Sequence, residues 1–132
     1  METRSYETSY QQIGALASAQ AFDSVGKILL YAEVGDGWSS ADLIYQTSPK
    51  SARHRFCEDK LREVVIDFWE YWKEDSKNQE WRCIEYVIEN ENFKIDLTYP
   101  DQIDENQATF ERRPAVIDKH FGGVEIDYSN PE

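Results

Sequence analysis

Apolar residues along the chain recur first three or four apart, then two apart, and the changes of period mark out its elements. Tyr6, Tyr10, Ile13 and Ala17 fall on one face of a helix over about residues 5–21. Gly14 weakens that helix by up to about 1 kcal/mol relative to Ala, so it depends on the rest of the fold. Ile28, Leu30, Ala32 and Val34 then alternate in a strand over 26–34. Gly35-Asp36-Gly37 supplies a turn, and Ala41, Leu43 and Tyr45 alternate in a returning strand over 38–46, which together read as a β-hairpin.

A polar connection, Thr47 to Ser51, leads into a long helix ending near Lys77. Ser48 before Pro49, or equally Ser51, is its predicted N-cap. Leu61, Val65, Phe68 and Trp72 form its apolar line, widened by Val64, Trp69 and Tyr71. A second hairpin follows. Ile84, Tyr86 and Ile88 alternate over 80–89, Asn90-Glu91-Asn92 turns the chain, and Phe93, Ile95, Leu97 and Tyr99 alternate against Lys94, Asp96 and Thr98. After an acidic loop from Pro100 to Asn106, Phe110, Val116, Ile117 and Phe121 predict a helix within 109–121. Pro114 favours a start after Arg112, and Gly122-Gly123 ends it. Residues 124–132 read as a short acidic tail with Val124 and Ile126 as docking points.

The order α-β-β-α-β-β-α predicts an α+β fold, in which two hairpins make a four-stranded antiparallel sheet with helices on one face. Strand–helix alternation, which a doubly wound parallel sheet requires, is absent. The 132 residues suit a single domain, with no repeat or linker.

Charge changes the picture most. Lys and Arg number 14 and Asp and Glu 26, a formal net charge of −12. A polyanion of this kind is a poor direct binder of nucleic acid and suits a basic partner. No stretch approaches the ~20 apolar residues of a membrane span. Met1 to Tyr10 has neither a cationic nor an apolar leader region, and Cys57 and Cys83 are the only cysteines. A cytoplasmic protein with reduced thiols, monomeric when free, is the expectation.

The most specific feature is an acidic stripe on the long helix. Asp59, Glu63, Asp67, Glu70 and Glu74 fall within an arc of about 80° at 100° per residue, opposite the apolar line. Like charges at this spacing destabilise a helix by ~0.2–0.5 kcal/mol per pair, and Lys60, Arg62 and Lys73 sit beside the stripe rather than within it. The stripe is either a solvated helix face or a docking surface for a cationic protein. Glu85, Glu89 and Asp96 on the outer face of the second hairpin, with Asp101, Asp104 and Glu105 after it, extend the anionic field. Trp38 and Trp81 are candidate aromatic hot spots of a partner interface, or else packing residues.

Signals for catalysis are weak. His54 and Cys57, at i and i+3, would share a helix face, but two ligands do not close a zinc site and no further motif completes one. No serine elbow or phosphate-cradling loop is present, and no carboxylate pair stands out as acid and base. Arg112-Arg113 reads as a partner for nearby carboxylates rather than an anion site. No catalytic residue, metal or cofactor is therefore assigned.

Four segments carry a family likeness: Leu29-Leu30-Tyr31-Ala32-Glu33-Val34, Asn92-Phe93-Lys94-Ile95-Asp96-Leu97-Thr98-Tyr99, Glu111-Arg112-Arg113 and Lys119-His120-Phe121-Gly122. In these the chain resembles the YezG-type immunity proteins, from the first helix to Gly122. The resemblance implies a cytoplasmic antitoxin of a polymorphic or contact-dependent toxin system in bacterial competition. Such a protein has no catalytic residues or cofactor, and binds and neutralises the C-terminal domain of a cognate toxin, often a nuclease. It supplies no fixed toxin-contacting positions, so the acidic stripe remains a reading of the residues themselves. The other readings of the charge are an acidic adaptor or assembly protein and a DNA-mimic inhibitor of a nucleic-acid-binding protein.

Overall fold

The computed structural model describes residues 5–104 and 106–129; Glu105 of the acidic loop and the last three residues of the tail lie outside them. The fold is α+β. Its elements are α1 (Tyr6–Gln20), β1 (Ile28–Gly35), β2 (Trp38–Ser48), β3 (Ser51–Phe56), α2 (Asp59–Lys73), β4 (Cys83–Glu89), β5 (Asn92–Thr98), a 3-10 turn (Pro100–Gln102), α3 (Thr109–Phe121) and β6 (Glu125–Asp127). The strands form one sheet in the order β5-β4-β1-β2-β3-β6, antiparallel except where β6 runs parallel to β3. Among the described residues, no helix is long and apolar enough to cross a membrane.

The sheet is six-stranded rather than four-stranded, because two short strands lack a strong apolar signal. The segment read as the start of the long helix is β3. Pro49-Lys50 is a hairpin turn, and Ser48 and Ser51 pair across it with hydroxyls 2.6 Å apart instead of capping a helix. Ala52 and His54 point inward from β3 while Arg53 and Arg55 keep its other face polar. The tail is likewise drawn into the sheet, with Ile126 beside Ala52. The long helix is confined to Asp59–Lys73, and the side-chain amide of Asn78 closes its end by donating to the Trp72 carbonyl at 3.1 Å.

Both faces of the sheet are covered, which corrects the expectation of helices on one side. β1 is buried along its whole length. Its residues Ile28, Leu30, Ala32 and Val34 join Leu43, Tyr45, Ile84 and Tyr86 beneath α1 and α2. Leu29 faces the other way, with Ile44, Ala52, Ile117 and Phe121, beneath α3. α2 contributes Leu61, Val65, Phe68 and Trp69 to the larger core, and Tyr10 packs edge-on against Phe68 with centroids 5.3 Å apart. Gly14 has a packing reason. The Tyr86 hydroxyl approaches the helix there and donates to the Tyr10 carbonyl at 2.7 Å, in space a Cβ on residue 14 would take.

α3 begins at Thr109, five residues before Pro114, because Glu111 reaches back to accept from the Ala108 amide at 3.2 Å. Phe110 does not anchor it and stays exposed. That end of the helix is fastened by polar side chains instead.

Candidate functional site

The amphipathic pattern of α2 places its acidic residues as the sequence predicts. Asp59, Glu63, Asp67, Glu70 and Glu74 are all exposed, on the side of α2 away from the sheet. At its end the helix meets the β1–β2 turn. This turn is tight because Gly37 adopts φ +78°, and Gly35 pairs with Trp38 across it. The Trp38 indole lies flat over Gly35, where any Cβ would collide with it. Trp38 remains 42% exposed.

Trp38 and Glu70 line the same cleft, of about 440 Å³, with Asp36 and Arg62 at its rim and Ile66 and Trp69 among its walls. The structure thus brings one predicted aromatic residue and one predicted carboxylate into a single concave surface of mixed apolar and charged lining. Lys73 stands beside these lining residues and pairs with two of their carboxylates. Its ammonium sits 3.5 Å from the Trp69 ring centroid and within 3.6 Å of Glu70, 3.8 Å of Asp36 and 3.9 Å of Glu80. Trp69 is held in place by its indole N–H, which donates to the Trp81 carbonyl at 2.8 Å.

The other predicted residues are placed elsewhere. Trp81 is 0% exposed and belongs to the core, where it packs 5.8 Å from the Phe68 ring; it is no surface hot spot. Glu85, expected on an outer face, is 7% exposed beneath α3. It accepts from His120 Nε2 at 2.7 Å and Lys119 Nζ at 3.0 Å. Asp96 lies beside it on β5 and is half-buried, and Glu89 is exposed at the β4–β5 turn. These three sit on the α3 side of the sheet, opposite α2, so they do not continue the stripe. His54 and Cys57 share no helix: His54 is on β3, bonded to Asp42 at 2.8 Å.

Two important carboxylates escape the sequence reading, Glu33 and Asp42. Glu33 is 0% exposed in the central strand. It accepts from Tyr31 at 2.5 Å, Thr109 at 2.8 Å and Arg112 at 3.0 and 2.5 Å. Burial pushes its pKa up, and the bonds from Arg112, Tyr31 and Thr109 outweigh burial and hold it below the ordinary carboxyl value. Asp42 takes His54 on one oxygen, while Arg113 Nε lies 2.7 Å from the other, near enough for an ion pair but off line for a hydrogen bond. Arg112 and Arg113 are thereby turned inward onto buried carboxylates, while Lys119 reaches Glu85 from an exposed position. The available signal was an acid at an inward position of an otherwise apolar strand, which demands a cation from whatever element covers it.

The Glu33 part of this network is saturated. Glu33, with four donors on its two oxygens, has no lone pair directed at a ligand. Burial raises the Cys83 thiol to about 11 and raises Cys57 further, so both stay protonated at neutral pH. Open to solvent are the Trp38 cleft and the stripe, with an exposed indole, carboxylates and Arg62, and a second cleft of about 460 Å³ lined by Phe22, Phe56, Arg53 and Arg55 among others. No protein-family model matches the chain, and no curated protein matches it.

Proposed function

We propose that the protein is an immunity protein, an antitoxin that binds and neutralises a cognate, basic, nuclease-type toxin domain in the cytoplasm of the producing cell. The observation that carries this reading is the placement of exposed Trp38 beside Asp36 and Glu70, in one cleft next to the acidic face of α2. Exposed ion pairs alone give ~0–1 kcal/mol each, too little for a tight complex. A desolvated aromatic centre ringed by charge supplies the rest. The net charge of −12 favours fast encounter with a basic domain. Arg112 and Arg113 of α3 are spent on internal carboxylates and do not offset the exposed acids of α2. The likeness of four segments to YezG-type immunity proteins points the same way.

The test takes the protein encoded immediately upstream of this chain as the candidate toxin and measures its neutralisation. Stoichiometric addition of the chain should abolish the candidate's activity, and co-expression should restore growth of cells producing it. Full toxin activity in the presence of excess protein would remove the reading.

A further inference from the structure

The outer edge of β5 carries a pattern that complements itself. β5 is the terminal strand and, among the described residues, is paired with β4 alone, in unbroken register from Glu89–Asn92 to Cys83–Thr98. The hairpin turn has two residues, Asn90 and Glu91, both at positive φ, so Glu89 and Asn92 close it as a hydrogen-bonded pair. Alternation then turns the peptide groups of Lys94, Asp96 and Thr98 toward β4, and those of Phe93, Ile95 and Leu97 outward. The strand has no proline or bulge, two of the devices that keep edges from pairing.

We propose that this edge pairs with the same edge of a second copy of the chain, antiparallel and centred on Ile95, joining two sheets into one across a two-fold axis. The outward peptide groups allow only registers that oppose odd-numbered residues. Centred on Ile95, each Lys94 faces the second copy's Asp96 in a non-hydrogen-bonded pair, where Cβ atoms approach to ~4.5–5.5 Å. Phe93 faces the second copy's Leu97 on the opposite face of the strand. A shift to the next allowed register on one side sets Lys94 against Lys94, and on the other side Asp96 against Asp96. Opposite charges therefore select one register and like charges reject its neighbours. The pairing also covers Phe93, which is 48% exposed although its ring stacks on Tyr86 at 5.4 Å. An isologous contact of this kind closes at two copies. It shares no residue with the Trp38 cleft and stands apart from the antitoxin reading; it departs from the free monomer expected from the sequence.

Sedimentation velocity of the full chain from micromolar to several hundred micromolar tests it, with far-UV circular dichroism to check folding. The wild type should dimerise reversibly. Lys94→Asp, at an exposed site, should weaken the dimer at least about tenfold, and the double exchange Lys94→Asp/Asp96→Lys should restore it. Asp96 is half-buried, so amide hydrogen exchange of the wild type gives a reading that needs no variant. Protection at Phe93, Ile95 and Leu97 should rise with concentration, while Lys94 and Asp96 are protected throughout. A wild type that stays monomeric, a dimer indifferent to Lys94→Asp, or concentration-independent exchange at Phe93, Ile95 and Leu97 would overturn the proposal.

Discussion

Arg112 Nη2 lies 2.5 Å from Glu33 Oε1, and through this contact α3 is fastened to the central strand of the sheet. The carboxylate is fully buried and its partner nearly so. Removing one member of such a pair leaves the other buried and uncompensated, at a cost of about 3–5 kcal/mol, whereas replacing both by apolar side chains is close to neutral. Glu33→Gln should therefore lower the urea unfolding free energy by that amount, and Glu33→Met/Arg112→Met should recover most of the loss. A single substitution costing under about 1 kcal/mol would show that the pair does not hold the helix.

Acid should release the same helix. Burial raises Glu85 as it does Glu33, and the bonds from His120 and Lys119 outweigh burial, so both carboxyls fall below their ordinary value of 4.5. A carboxyl lowered in the folded state binds fewer protons there than when unfolded. Its contribution is complete above the unfolded pKa and is lost as pH falls through the folded one. Stability should thus decline as pH drops below 4.5, and the decline should be shallower in Glu33→Met/Arg112→Met. Unfolding free energies measured between pH 7 and pH 3 check this; equal slopes for both proteins would contradict it.

Gly35→Ala tests the seating of Trp38. The added methyl meets the indole, which must swing off the turn. Crowding of this kind costs about 1–3 kcal/mol. Tryptophan fluorescence should shift to the red, and Gly35→Ala/Trp38→Ala should regain stability relative to Gly35→Ala alone. No change in either readout would mean that the indole does not rest on residue 35.

The acidic stripe should act on rate more than on fold. If the partner is the proposed toxin domain, Glu63→Lys, Asp67→Lys and Glu70→Lys together should slow association with it and flatten its dependence on salt. Unfolding free energy should change little, since exposed substitutions cost within about 0.5 kcal/mol each. Stopped-flow association at two ionic strengths decides; an unchanged rate and salt slope would make the stripe an ordinary solvated face.

The parts of the fold legible in the sequence are those whose burial is one-sided. The alternation of Ile28, Leu30, Ala32 and Val34, and the line Leu61, Val65, Phe68, each face a single core, and the core cluster contains them all. Legibility failed where burial was two-sided or short. Tyr31 and Glu33 alternate into the second face of β1, where a charge is stable only because Arg112, far along the chain, arrives to meet it. β3 hides between arginines, and β6 has three residues and one inward side chain. Of the site, the helical stripe followed from period alone. The meeting of Trp38 with Glu70 depends on where a hairpin turn falls against a helix, which no local pattern encodes.

Anchoring of a basic protein partner by Trp38, as proposed above, is tested most directly by calorimetric titration with the protein encoded immediately upstream, the candidate toxin. Wild type and Trp38→Ala are compared side by side. Binding should be saturable, weaken with salt, and fall at least about tenfold, or 1.4 kcal/mol, on removing the indole. Absence of binding by the wild type, or equal affinity of the two proteins, would contradict it.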